Sequence, residues 1–236
     1  MMKIFFGIRG KLIGCFLLIT MIPLLTVSII SYYNGKNAVE QRLIEQLTSI
    51  TDLKKSELQG WLQERLLDTM VISQNKFLEA AFTSLFYIRR ATDSVDSMLK
   101  SDVGREYHIR LLMYINKLKS TYRVFDEIYI IDIESGEILV STNKDNVGKK
   151  EHDLLFFKDV LKTMGLPIKD IHHSNLTNQI CMSFFGPIHK TDPVALLGSN
   201  IMIGALILRA NIDESIEPMI QNWPGMGKTG ETLLVR

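Results

Sequence analysis

FDEIYIIDIESGEILVST, residues 125–142, is the stretch on which the fold turns. Upstream of it, apolar residues recur every three or four positions; within it they alternate. Ile128 and Ile130, then Ile138 and Val140, fit two short strands, and Glu134, Ser135 and Gly136 supply the turn between them. A helical chain therefore becomes a β-hairpin here. Downstream, "LLFFKDVLKTMG" at 154–165 predicts a helix stopped by Gly165. Three further strands are expected over 168–174, 179–188 and 200–210, divided by loops rich in Asn, Asp, Gly and Pro. Sequential strands joined by short loops favour an antiparallel sheet, so the fold class is α+β with five antiparallel strands.

Upstream, Val39, Leu43, Leu47, Ile50, Leu58, Leu62, Leu66 and Met70 mark one face of an amphipathic helix. No proline falls between Pro23 and Pro167, so the spacing predicts a long helix running from about residue 36 to Phe86. A second helix is expected over 106–122, with Leu111, Leu112, Ile115 and Leu118 on one face.

Further towards the N-terminus, "LIGCFLLITMIPLLTVSIISYY" (12–33) runs 22 residues without a charge. About 20 residues of helix cross the hydrocarbon core. Pro23 is tolerated in such a helix, and Tyr32 and Tyr33 fall where an interfacial aromatic belt would lie. The apolar core is too long for a cleaved signal peptide, and "SIISYYNGK" offers no small-x-small site. Lys3, Arg9 and Lys11 precede the span with no acidic residue before it. Positive residues stay inside, which places the N-terminus in the cytoplasm and everything after Asn34 outside.

The whole chain has 236 residues, 46% hydrophobic and 22% charged, with a net charge of +1. That balance lacks the basic excess of a nucleic-acid binder and is too apolar for a disordered chain. Its two cysteines, Cys15 and Cys181, form no CxxC pair and no disulfide framework.

The C-terminal "NWPGMGKTGETLLVR" (222–236) has the look of a phosphate-binding loop around Gly227, Lys228, Thr229 and Gly230. Counting back five from Gly227 reaches Asn222 rather than glycine, so the G-x-x-x-x-G-K-[ST] spacing fails. The order fails too, because a short amphipathic helix (212–221) precedes the loop and a strand (232–235) follows it. No nucleotide or other cofactor is expected.

The order of these stretches resembles the double-Cache sensors of bacterial receptors, which hang two PAS-like modules on a long extracytoplasmic helix. "ITDLKKSELQGWLQERLLDTMVIS" (50–73) resembles the stalk, "EIYIIDIESGEILVST" (127–142) the first hairpin, and "SFFGPI" and "GALILRANI" the last two strands. "GMGKTGETLLV" (225–235) is similar to the linker that opens the second module. The resemblance implies a cytoplasmic N-terminus (1–11), a transmembrane helix (12–33), a stalk (34–104), a membrane-distal module (105–221) and the start of a second module (222–236). It also implies that this chain is the front piece of a longer receptor, with the output domain (a histidine kinase in preference to a chemotaxis rod) lying beyond it; a stand-alone membrane-anchored binding or scaffold protein is the alternative. A homodimer through the stalk, and a small ligand or periplasmic binding protein as partner, follow from the same resemblance.

Amino-acid-binding members resemble one another in an Arg-x-Trp-Tyr run and a later Tyr-x-Asp. Here Leu154-Leu155-Phe156-Phe157 stands at the first, and His172 and Ser174 at the second. The arginine that grips a carboxylate and the carboxylate that grips an ammonium are both missing, which speaks against amino-acid sensing. Phe156, Phe157, Ser174 and Ser183 are the candidate ligand-binding residues. His172 and His173 point to opposite faces of a strand, so they do not readily share an ion with His152, and Cys181 adds no recognised ligand spacing. No metal site is expected. No nucleophile elbow, zinc motif or paired acids appear, so no catalytic residue and no enzymatic activity are expected of this chain.

Overall fold

The structure is a computed structural model and describes residues 8–151, 167–191 and 200–221. Residue contacts divide the chain into two units, Met1–Ser56 and Glu57–Arg236. Helix α1 (Ile8–Ser73) supplies the described part of the first unit and the opening of the second.

The described part of the first unit is helix, and the large apolar side chains of its run from Leu12 to Tyr33 are exposed. It contains a segment long and apolar enough to cross a membrane. Pro23 lies within the helix. The two threonine hydroxyls in this run return to their own backbone: Thr20 Oγ1 donates to Phe16 O at 3.0 Å and Thr26 Oγ1 to Ile22 O at 2.7 Å. A polar group in an apolar surrounding is costly unless bonded, and these bonds remove that cost.

In the second unit, α1 ends at Ser73 rather than running on to Phe86. Asn75 starts a new helix, α2 (Lys76–Arg90), its side chain accepting from the amides of Phe77 and Leu78. An Asn cap satisfies donors that the first turn leaves free, and here it sets a helix boundary without proline or glycine. Two more helices follow, α3 (Val95–Lys100) and α4 (Asp102–Thr121), each capped by a serine, Ser94 and Ser101.

The strands are β1 (Phe125–Asp132), β2 (Ile138–Ser141), β3 (Ile168–His173), β4 (Ile180–Thr191) and β5 (Asn200–Asn211). They form one antiparallel sheet in the order β2-β1-β5-β4-β3, as the α+β reading expected. The hairpin turn is held by Asp132, which accepts from Glu134 N and Ser135 Oγ, both at 2.9 Å. Gly136 completes it at φ 73°, where a side chain would be strained. Two short helices, α5 (Ile212–Ser215) and α6 (Glu217–Gln221), stand where one was expected. The expected helix at 154–165 and the segment at 222–236 lie outside the described residues.

Alternation gives the sheet two buried faces. On one, Ile128, Ile130, Phe184, Leu206 and Leu208 pack against Ile72, Leu78, Phe82, Leu85, Leu111 and Ile115 of the helices. Gly186 and Gly204 allow the closest approaches. A Cβ at Gly186 would lie 2.5 Å from Ser73 Cβ, and one at Gly204 would lie 2.2 Å from Phe82 Cε1. On the opposite face, Tyr129, Ile131, Ile138, Phe185, Ala205 and Ile207 form a second, smaller apolar cluster. Ser183 and a buried polar cluster lie on this second face.

Candidate functional site

Three buried ionisable groups share the second face with that apolar cluster. Glu127 and Tyr129 project from β1, and Arg209 from the neighbouring β5, where Glu127 and Arg209 are register partners. All three are nearly inaccessible, at 3%, 1% and 2% relative exposure. Such residues are almost never fully buried unless paired, and here they are. Arg209 Nη1 donates to Glu127 Oε2 at 2.8 Å, and Nη2 donates to Tyr129 Oη at 2.7 Å. Nη2 also lies 3.4 Å from Glu151 Oε2. The Tyr129 hydroxyl donates to the same Glu151 oxygen. The guanidinium carbon stands 4.9 Å from the Tyr129 ring centroid.

Glu127 is held from its other side as well. Its Oε1 accepts from Ser141 Oγ at 2.7 Å and from Asn146 Nδ2 at 2.8 Å. Strand β2 and the 3₁₀ turn Lys144–Asn146 thus lock the carboxylate in place. Burial pushes the Tyr129 hydroxyl well above its ordinary range, and the Glu151 carboxylate adds to that. Tyr129 therefore stays protonated and donates. Burial works against the Arg209 charge, but the surrounding Tyr129, Glu127 and Glu151 outweigh it and raise the arginine's pKa. Arg209 is a permanent cation whose Nε has no hydrogen-bond partner among the described residues.

Ser183, one of the four candidates, lies on this face directly across the ladder from Arg209. It is buried. Ser174 is buried in the turn between β3 and β4, where its Oγ accepts from Leu176 N at 3.2 Å and Thr177 N at 3.3 Å. Its hydroxyl is thus engaged by its own turn, away from the Arg209 cluster in sequence and in hydrogen bonding. Phe156 and Phe157 lie outside the described residues. His172 and Cys181 are register partners on β3 and β4, with Nε2 and Sγ 3.5 Å apart. His172 Nδ1 lies 2.8 Å from the Asp170 carbonyl. Among the described residues, no group of three or more His, Cys, Asp or Glu converges as a metal-binding set.

The sequence reading missed Glu127, Tyr129, Glu151 and Arg209. A signal was present: an arginine inside the apolar run "GALILRAN" and a glutamate opening "EIYII" are both out of character for buried strands. Chemically, the cluster holds protonated donors and a saturated carboxylate beside apolar walls. That is the composition of a recognition site, a few fixed polar groups in an apolar setting.

No family model matches the chain, and no curated protein matches it in sequence. Solved structures do. The sensor domain of the V. cholerae histidine kinase DctB matches at TM-score 0.54 and 14% identity, over 77% of this chain and 60% of that one. The ligand-binding domain of the Pseudomonas aeruginosa PAO1 amino acid chemoreceptor PctC, in complex with GABA, matches at TM-score 0.43 and 16% identity, over 75% and 64%. The sensory domain of the Campylobacter jejuni chemoreceptor Tlp3 matches at 0.38 and 13%, over 73% and 69%. The likeness to the DctB domain shows a shared fold. The chain spans less than two thirds of the length of the DctB and PctC domains.

Proposed function

We propose that this chain is the extracytoplasmic sensory input region of a membrane-bound signal-transduction receptor. In this reading residues 12–33 anchor it, residues 34–104 form the stalk, residues 105–221 form the sensing module, and residues 222–236 open a second one. The observation that carries the reading is a Cache-type sheet whose second face holds a buried polar cluster with donors still open. The fold shared with a histidine kinase sensor domain favours a kinase as the output; a chemotaxis receptor is the alternative. The chain itself is a binding module rather than an enzyme, since the cluster offers recognition groups and no nucleophile activated by a base.

A small ligand, or a periplasmic partner, binds over the second face and contacts Ser183; Ser174, Phe156 and Phe157 remain candidates around it. Occupancy shifts the packing of the sheet on the helices and so moves α1, a bias between two states rather than chemistry. The test is a thermal-shift screen of the full chain in lipid nanodiscs against a broad metabolite library. Stabilising compounds whose effect is lost in Ser183→Val support the reading. A library with no stabilising compound, or hits indifferent to every substitution on the second face, would count against it.

A further inference from the structure

Resting on that reading, we infer that the group recognised at Arg209 and Ser183 is a neutral hydrogen-bond acceptor, such as an amide carbonyl, and not a carboxylate. Arg209 has one donor left to give. Its terminal nitrogens are committed to Glu127 and Tyr129, at 2.8 and 2.7 Å. Its Nε is buried and has no partner among the described residues. A buried donor without an acceptor is costly, and such groups in native structures call for an explanation. Across the ladder stands Ser183, itself a buried residue. An open donor and a hydroxyl able to donate or accept thus occupy register partners on neighbouring strands.

The charge of the site decides what fills them. An exposed or singly paired arginine invites a carboxylate and holds it bidentately. This one is already balanced by the Glu127 carboxylate on Nη1. Glu127 alone is enough for that balance, and the Glu151 carboxylate stands 3.4 Å from Nη2. An incoming anion would meet an arginine already neutralised by the Glu127 carboxylate, in a setting where water does not screen the charges. A neutral acceptor brings no charge into that setting and still satisfies the Nε–H. The frame suits such a group, because Phe185, two residues from Ser183, and Ile207, two residues from Arg209, are buried on the same face.

Matched pairs of equal shape test this: acetamide against acetate, propionamide against propionate, and nicotinamide against nicotinate. Each is titrated into the full chain in nanodiscs and followed by saturation-transfer NMR. The expected result is saturable binding of at least one amide, at least tenfold tighter than its acid. Ser183→Ala, which leaves the Arg209–Glu127 pair intact, should weaken that amide at least fivefold with unchanged thermal unfolding. Arg209→Lys keeps the charge but removes the Nε donor, and should abolish amide binding. Acids binding as well as their amides, amides indifferent to Ser183→Ala, or no binding by any pair would each overturn the inference. The wider screen separates this from the sensory reading. Charged compounds that bind there through the second face would leave that reading standing while this one fell.

Discussion

At the scale of single residues, the Arg209–Glu127 pair is the most consequential. Two charges out of water are tolerated only because each saturates the other and Ser141 and Asn146 complete the shell. Removing Glu127 leaves the buried Arg209 charge with its longer, 3.4 Å contact to Glu151, and breaking such a pair costs about 3–5 kcal/mol. Glu127→Leu should therefore destabilise the full chain by that amount in chemical denaturation followed by fluorescence. Adding Arg209→Met should cost far less than a second independent loss, because the orphaned charge is removed. Additive losses would mean that the two groups do not act as a pair. His108 makes a different claim. Burial lowers its pKa below the ordinary value of about 6.5, and its Nε2 is buried without a partner. The folded state therefore binds fewer protons than the unfolded state below pH 6.5, and stability falls as pH falls from there through the depressed pKa. The raised pKa of Asp68, caused first by burial, acts oppositely from about pH 3.9 upward. It is common to both proteins in a comparison with His108→Leu and drops out of the difference. The wild type should lose stability relative to His108→Leu between pH 6.5 and 5 in thermal scans; parallel curves would contradict the assignment. None of these residues was singled out in the sequence. Alternation places Glu127 with Tyr129 and Ile131, but which face is buried, and that β1 lies beside a strand some 80 residues on, is decided only by the folded sheet.

At the scale of elements, the sequence was most legible where the period was clean. The hairpin, the three later strands and the α4 face were all readable within a few residues, because alternation and three-four spacing are local signals. The break between α1 and α2 was not. "SQN" at 73–75 contains no strong helix breaker, and apolar spacing continues on either side. What makes Asn75 a boundary is tertiary: α2 buries Leu78, Phe82 and Leu85 against the sheet while α1 ends over β4. Gly186 records how close that approach is. A methyl there would meet Ser73 Cβ at 2.5 Å and the Thr69 carbonyl at 2.9 Å. Overpacking of this kind costs about 1–3 kcal/mol. Gly186→Ala should be destabilised by that much in thermal or chemical unfolding. Ser73→Gly, which clears the Cβ and Oγ, should restore part of the loss when combined with it. Failure of the pair to couple would mean that the strand and the helix end are not in the contact described.

At the scale of the whole molecule, the proposed function sets one side of a membrane against the other. The apolar run in α1 is long and apolar enough to span, its large apolar side chains are exposed, and its two threonine hydroxyls are bonded to their own backbone. The fold of the second unit is shared with a histidine kinase sensor domain, and Lys3, Arg9 and Lys11 precede the span, so the sheet belongs outside the cytoplasm in our reading. Cysteine labelling in an expressing bacterium distinguishes the arrangements. In a Cys15→Ser background, with Cys181 buried, Ser120→Cys sits on an exposed turn of α4 and reports on the second unit. A membrane-impermeant maleimide should label Ser120→Cys in intact spheroplasts and Lys3→Cys only after permeabilisation. The reverse pattern would overturn the orientation, and labelling of both in intact cells would mean that the run does not span. The same vesicles test the stalk. Leu43 and Leu47 are exposed on successive turns of α1, one helical repeat apart. If two copies pair along that face, Leu43→Cys and Leu47→Cys should form disulfide-linked dimers under mild oxidation, while cysteines at Gln41 or Glu45, on the opposite face of the helix, should do so far less. Equal crosslinking at all four positions would indicate collisions in the membrane rather than a packed pair, and the signal would then have to pass through a single helix.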